Sequence, residues 1–260
     1  MFSNTKKRGK RAQITIFIIL AIVIISAVIA IFALRSTPKT HVSPVDNPEA
    51  YIQQCVLGLL EEKIQPLELQ GGYVSPTDSV KYNEENINYL CYTADNDAIC
   101  TPSIPLLKTH LEEQILKEIR PGVESCFANL KKSFESAENY QEETTDLQIE
   151  IRPSEVLARI NKKITITKNS QTNSIENFNT ILSDPTFDFI MIVNQIINKE
   201  VSCDCGREAC HADVVQIARD NKAYEIGLFV GGYGEKVYTL EEVNTGKQFL
   251  FGVRNCVRLP

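Results

Sequence analysis

Apolar residues fall along this chain in three rhythms. From Ile14 to Leu34 they run almost unbroken, and only Thr15 and Ser26 carry polar side-chain groups. At about 1.5 Å rise per residue this stretch makes a helix close to the ~30 Å hydrocarbon thickness of a bilayer. A cleavable secretory signal has a shorter apolar region, roughly 7–15 residues, and a small-x-small site after it. Arg35-Ser36-Thr37-Pro38 offers no such site, so the segment predicts a transmembrane helix that stays in place.

The second rhythm is helical. Residues 35–46 hold two prolines and no periodicity, which reads as a short extended stalk. Asn47-Pro48-Glu49 then supplies a cap, a proline for the first helical position and an acid at the positive dipole end. Ile52, Cys55, Val56, Leu59 and Leu60 recur on one face, and Pro66 with Gly71-Gly72 is expected to close the element. A second helix is expected from about Ser103 to Ile119, with Leu107, Leu111, Ile115 and Ile119 inward. Pro121-Gly122 should break it, before a third helix carrying Val123, Cys126, Phe127, Leu130 and Phe134.

The third rhythm has period two. It is short in residues 79–93 and sustained in Leu147/Ile149/Ile151, Val156/Ala158/Ile160 and Ile164/Ile166, which with 174–182 predict an antiparallel meander. Asp184-Pro185 opens a further helix to about Lys199, and residues 212–219, 223–230, 236–242 and 247–257 read as strands. Helices and strands in separate blocks predict an α+β fold rather than a doubly wound α/β one. The expected layout is a tail at 1–13, the transmembrane helix at 14–34, the stalk at 35–46 and an outer region at 47–260. That outer region can divide near 183–202.

Charge gives this layout a direction. Lys6, Lys7, Arg8, Lys10, Arg11 and Arg35 lie in a segment without any acid, so the whole-chain charge of −6 leaves −12 on the remainder. Positive charge before an anchor tends to stay in the cytoplasm, which places the acidic region outside a cell membrane. Such a region repels nucleic acid and anionic headgroups, both of which attract basic surfaces. Its possible partners are other envelope or surface proteins.

Cysteine usage fits an oxidising exterior. Cys55, Cys91, Cys100, Cys126, Cys203, Cys205, Cys210 and Cys256 are even in number and all follow the anchor. Cys91 and Cys100 are placed to staple a loop around Asp95-Asn96-Asp97, which lacks the Gly and distal Glu of a calcium loop. Cys55 and Cys126, on two apolar helix faces, can link those helices or pack as thiols. No Asn-x-Ser/Thr sequon is present.

The densest chemistry is Cys203-Asp204-Cys205-Gly206-Arg207-Glu208-Ala209-Cys210-His211. Cys203, Cys205, Cys210 and His211, with distant Cys256, could ligate zinc, although structural zinc sites usually carry two close cysteine pairs. Outside a cell the simpler account is disulfides, with Cys203 and Cys205 choosing different partners from Cys210 and Cys256, because bridging Cys203 to Cys205 closes a strained ring. An exchangeable redox pair needs a thiolate in a positive field, and Arg207 is opposed by Asp204 and Glu208. Disulfides are the leading expectation. His41 falls in the stalk and His110 on an outer helix position. The chain has no G-x-S-x-G or H-E-x-x-H motif. Gly231-Gly232-Tyr233-Gly234-Glu235-Lys236 reads as a hairpin turn. No catalytic residue, cofactor site or cofactor is expected.

The start KKRGKRAQITIFIILAIVI, the stalk, Cys55, Gly71-Gly72-Tyr73, Cys126 and the run VLARINKKITITK resemble a set of uncharacterised single-pass membrane proteins of small-genome archaea. The likeness spans most of residues 6–182. It implies an archaeal cell-surface protein without implying an activity. The beginning is also similar to type IV pilin precursors, with a basic-Gly stretch before an apolar helix. It differs from them in having no acid just inside that helix and prolines shortly after it. The expected role is noncatalytic, in surface interaction or envelope structure. A pilin-like filament subunit is one alternative, and a disulfide-handling or metal-dependent enzyme using the 203–211 cluster is the other.

Overall fold

The computed structural model describes residues 43–134, 139–168, 170–202, 205, 209–232 and 234–257, together with Ile22 and Ile24. The chain separates into two units, residues 1–41 and 42–260. Apart from Ile22 and Ile24, which are helical, the proposed transmembrane segment lies outside the described residues. Among the described residues no helix is long and apolar enough to cross a membrane.

The second unit is α+β. Helix α1 (Pro48–Leu69) starts where Asn47 Oδ1 accepts the Ala50 N–H at 3.0 Å. It buries Ile52, Val56, Leu60 and Ile64, a row at i+4 spacing. Strands β1 (Ser79–Tyr82), β2 (Glu85–Tyr92) and β3 (Thr101–Pro102) follow, then the long helix α2 (Leu107–Ser133). Next come β4 (Asn139–Glu142), β5 (Asp146–Arg152), β6 (Glu155–Asn161), β7 (Ile164–Lys168), β8 (Gln171–Ile175) and β9 (Phe178–Ser183). Helices α3 (Thr186–Ser202) and α4 (Ala209–Asp220) precede β10 (Tyr224–Val230), β11 (Lys236–Glu242) and β12 (Gln248–Arg254).

The strands form three sheets, ordered β1-β2-β12-β11-β10 with β3 beside β2, then β4-β7-β8, and β5-β6-β9. All pairs are antiparallel except β12 with β2. The first sheet curls. Tyr82 and Phe229 stand on its two edge strands, yet their rings are 5.3 Å apart. The inside of the curl holds a small core of Val80, Ile87, Tyr89, Val237 and Leu250. Gly252 permits this, since a Cβ there would lie 2.9 Å from the Tyr89 ring. The opposite face, with Leu90, Tyr238, Phe249 and Phe251, joins the main core shared by all four helices and the other sheets.

Several expectations need correction. Helix α2 does not break at Pro121-Gly122 but runs through both. A Cβ on Gly122 would stand 2.5 Å from Leu59 Cδ2, so this glycine lets α1 cross closely. The hydrogen bond that Pro121 cannot donate is outweighed by burial on both sides of it, at Ile119 and Val123. The helix also starts at Leu107 rather than Ser103. Similarly, α1 passes Pro66 and ends at Leu69, where Gly71 and Gly72 take φ of +70° and +87°. The expected single meander is two sheets: β7 joins β4 and β8, while β9 returns to β6. Its Phe178 and Leu182 stand opposite Ile160 and Val156, which matches two inward faces. Residues 212–219 belong to helix α4, not a strand. Val214 and Ile217 are buried while Val215 is exposed, a pattern with period three rather than two. Gly231 to Lys236 does connect two strands, with the Gly231 N–H on the Glu235 carbonyl at 2.7 Å.

Candidate functional site

The described cysteine sulfurs are committed to the fold. Cys55–Cys126 ties α1 to α2, Cys91–Cys100 closes a loop after β2, and Cys205–Cys256 joins the residues after α3 to the chain end. Cys203 lies outside the described residues, and the side chains of Cys210 and His211 are not described, although both residues belong to α4. Among the described residues no group of three or more His, Cys, Asp or Glu side chains is arranged to hold a metal ion. His110 is half-buried rather than on an outer position, with Nε2 3.0 Å from the Gly72 carbonyl oxygen and its ring against Tyr73.

Two buried carboxyl groups carry the polar chemistry, and both continue apolar helix stripes. Glu200 follows Phe189, Val193, Ile196 and Ile197 on α3. Its two oxygens each accept from Lys236 Nζ at 2.8 Å, and it also accepts from the Tyr238 hydroxyl and from Asn255 Nδ2 at 2.9 Å. Burial first, and the neighbouring Glu200 carboxylate second, hold the Tyr238 phenol protonated far above its ordinary range. Asn255 extends the network, giving Nδ2 to the Glu200 carbonyl at 2.8 Å and taking the Cys100 N–H at 2.8 Å. This network fastens α3 to β11 and the chain end.

The other carboxyl is Glu68, which extends the row Ile52, Val56, Leu60, Ile64 by one more i+4 step. It is 2% exposed and closes the floor of a cleft of about 560 Å³. One wall is a single face of α1, with Leu57, Glu61, Ile64 and Gln65; the other is Ile181 to Asp184, and Lys247 with Gln248 completes the rim. Asp184 caps α3, its Oδ1 accepting the Thr186 N–H at 3.0 Å and its Oδ2 held by Lys247 Nζ at 2.5 Å. The Thr186 hydroxyl faces Glu68 Oε1 at 2.9 Å and also reaches Asp184 Oδ1. Burial, then the nearby Asp184 carboxylate, push the Glu68 carboxyl well above its ordinary value of 4.5. The cleft thus combines apolar walls with carboxyl, carboxamide and ammonium groups that can orient a bound partner.

None of these cleft residues is apparent from a motif. The available signal was a charged residue continuing an apolar helical stripe, seen at both Glu68 and Glu200.

No protein-family model matches the chain, and no curated protein or solved structure matches it either.

Proposed function

We propose that this chain is a membrane-anchored extracytoplasmic protein with a noncatalytic role in surface interaction or envelope structure. Ile14 to Leu34 anchor it, the basic residues 6–11 stay in the cytoplasm, and the acidic region faces outward. The observation that carries this reading is the commitment of six cysteines, on both halves of the second unit, to three disulfides. Such bonds persist chiefly in oxidising compartments. We assign the interaction surface to the cleft between α1 and β9, where Ile181 is exposed on an otherwise polar rim. The pilin-like alternative draws its support from the N-terminal sequence alone.

The test is protease added to intact cells. It should remove the region after residue 46 while sparing the tail, and cysteine-labelling after lysis should find the six described thiols blocked unless a reductant is added. Digestion only after lysis, or free thiols in freshly isolated protein, overturns the reading. An intact N-terminal mass supports the anchor; cleavage near Gly9 or Ala12 supports a pilin-like subunit.

A further inference from the structure

The floor of the cleft is short of partners for two charges. Asp184 is well supplied, with the Thr186 N–H, Lys247 and a share of the Thr186 hydroxyl. That hydroxyl has one proton and faces both carboxyls, so it can serve only one at a time. Glu68 is left with the remaining share, and the Asp184 carboxyl stands on the other side of that same hydroxyl. Two facing carboxyls that share one hydroxyl and one ammonium are completed by a proton on one of them.

From this arrangement we infer that the cleft floor is a proton latch, in which one proton held between Glu68 and Asp184 fastens the end of α1 to the start of α3. Losing it as pH rises frees that end of α1 and opens the cleft. In the closed state a Glu68 carboxylic acid donates to the Asp184 carboxylate. In the open state both are carboxylates, and the proton has passed to solvent. Two charges then face a single ammonium in a buried site, which water entry relieves most cheaply.

The fold supplies a place to bend. Pro66 cannot donate to the Glu62 carbonyl, so the last turn of α1 lacks one helical hydrogen bond. Beyond it the chain leaves through Gly71 and Gly72 at positive φ, with the Gly72 N–H on the Leu67 carbonyl at 2.7 Å. Other ionisable groups surround the latch without replacing it. Glu61 lines the cleft from α1. Asp188 on α3 is bound by the Tyr224 hydroxyl at 2.9 Å, and Glu242 at the end of β11 borders the neighbouring hollow. From α2, His110 reaches the Gly72 carbonyl, and β9 presents only Ile181, Leu182 and Ser183.

The consequence for binding rests on the cleft being the interaction surface proposed above, but the latch is measured without any partner. Amide hydrogen exchange is followed from pH 5 to pH 9 on the full chain in detergent, comparing wild type with Glu68→Gln. The amide side chain imitates the protonated acid, and the ratio between the two proteins cancels the intrinsic pH dependence of exchange. Protection of residues 62–72 and 184–190 should fall in wild type relative to the variant, by as much as about tenfold per pH unit for one proton released. Equal protection in the two proteins at every pH overturns the latch, and so does failure of Glu68→Gln to fold. The interaction reading fails separately, if Ile181→Glu leaves cross-linking of the protein to its envelope neighbours unchanged.

Discussion

Glu68 and Glu200 are both buried, both sit near the C-terminal end of a helix, and both continue an apolar stripe, yet their surroundings differ in one respect. Glu200 has Lys236 on both oxygens, with Tyr238 and Asn255 completing its shell. Glu68 has a shared hydroxyl and a second carboxyl. A helix C-terminus repels a carboxylate, so neither position is favourable in itself. What separates them is the number of donors brought by neighbouring elements. With enough donors a buried carboxylate becomes a structural fastening. With too few, the group keeps its proton and its behaviour depends on pH.

The sharpest test of that contrast is a pair of amide substitutions. Glu200→Gln leaves Lys236 without its counter-charge beneath the sheet, where its side chain is only 14% exposed. Removing one partner of a buried pair typically costs about 3–5 kcal/mol, which urea unfolding at pH 7 will read directly. Glu68→Gln should instead leave stability unchanged at low pH and raise it at high pH. The sign follows from linkage. A carboxyl whose folded pKa is raised binds a proton that the unfolded chain has already released. Its contribution is therefore full below the ordinary value of 4.5 and is lost as pH rises through the folded value. If both amides cost the same at every pH, the two sites do not differ as described.

The Glu200 side is also stapled. Cys205–Cys256 follows the helix that carries Glu200 and adjoins Asn255, whereas among the described residues no disulfide reaches the Glu68 junction. The double variant Cys205→Ser, Cys256→Ser should lose about 2–4 kcal/mol, the usual range for such a bond. The chain end should loosen without detaching. The Asp97 N–H still meets the Val257 carbonyl and the Cys256 N–H the Ala98 carbonyl, each at 2.9 Å. Hydrogen exchange confined to residues 250–257 supports this; an unchanged unfolding midpoint goes against it.

Much of this architecture is legible in the sequence wherever periodicity is unambiguous. The Asn47 cap, the stripes of α1 and α3, the strands β5 and β6 with their apolar alternation, and the strands β10, β11 and β12 all lie where the residue types place them. The failures have physical causes. Pro121-Gly122 reads as a break because local propensity says so, while the reason for the glycine is Leu59 on another helix, 63 positions earlier. Residues 212–219 read as a strand because two adjacent valines satisfy both periods over so short a window. The candidate site was hidden for a different reason. Glu68, Asp184, Thr186 and Lys247 are brought together only by the packing of α1 against β9 and β12. The sequence marks Glu68 as anomalous on its stripe but does not name its neighbours.

Gly122→Ala asks whether the Glu68 junction depends on how α1 is seated farther up. The new methyl meets Leu59 at a distance that forces the side chain or the helix to shift. Overpacking of this kind typically costs about 1–3 kcal/mol. Cys55–Cys126 limits the shift near the middle of α1, so the displacement should be felt at both ends. A loss of stability with an unchanged pH profile would mean that the latch is local. A profile altered toward that of Glu68→Gln would mean that the helix moves as one piece.

The smallest expected effect comes from Thr180 on β9, the strand that forms one wall of the cleft. Its hydroxyl is buried, stands opposite Ala158 in the sheet register and has no hydrogen-bond partner among the described residues. An unpaired buried hydroxyl is a cost without return, and replacing it with a methyl group of similar shape removes that cost. Thr180→Val should therefore stabilise the protein by up to about 1 kcal/mol. Its pH profile should stay that of wild type, because the Thr180 hydroxyl makes no hydrogen bond to Glu68 or Asp184. This extends the contrast between the two glutamates to a neutral group: a buried polar atom adds stability only through its partners. A loss above about 1 kcal/mol in Thr180→Val would mean that the hydroxyl has a partner, such as a buried water. The same accounting of donors around Glu68 would then need that water included.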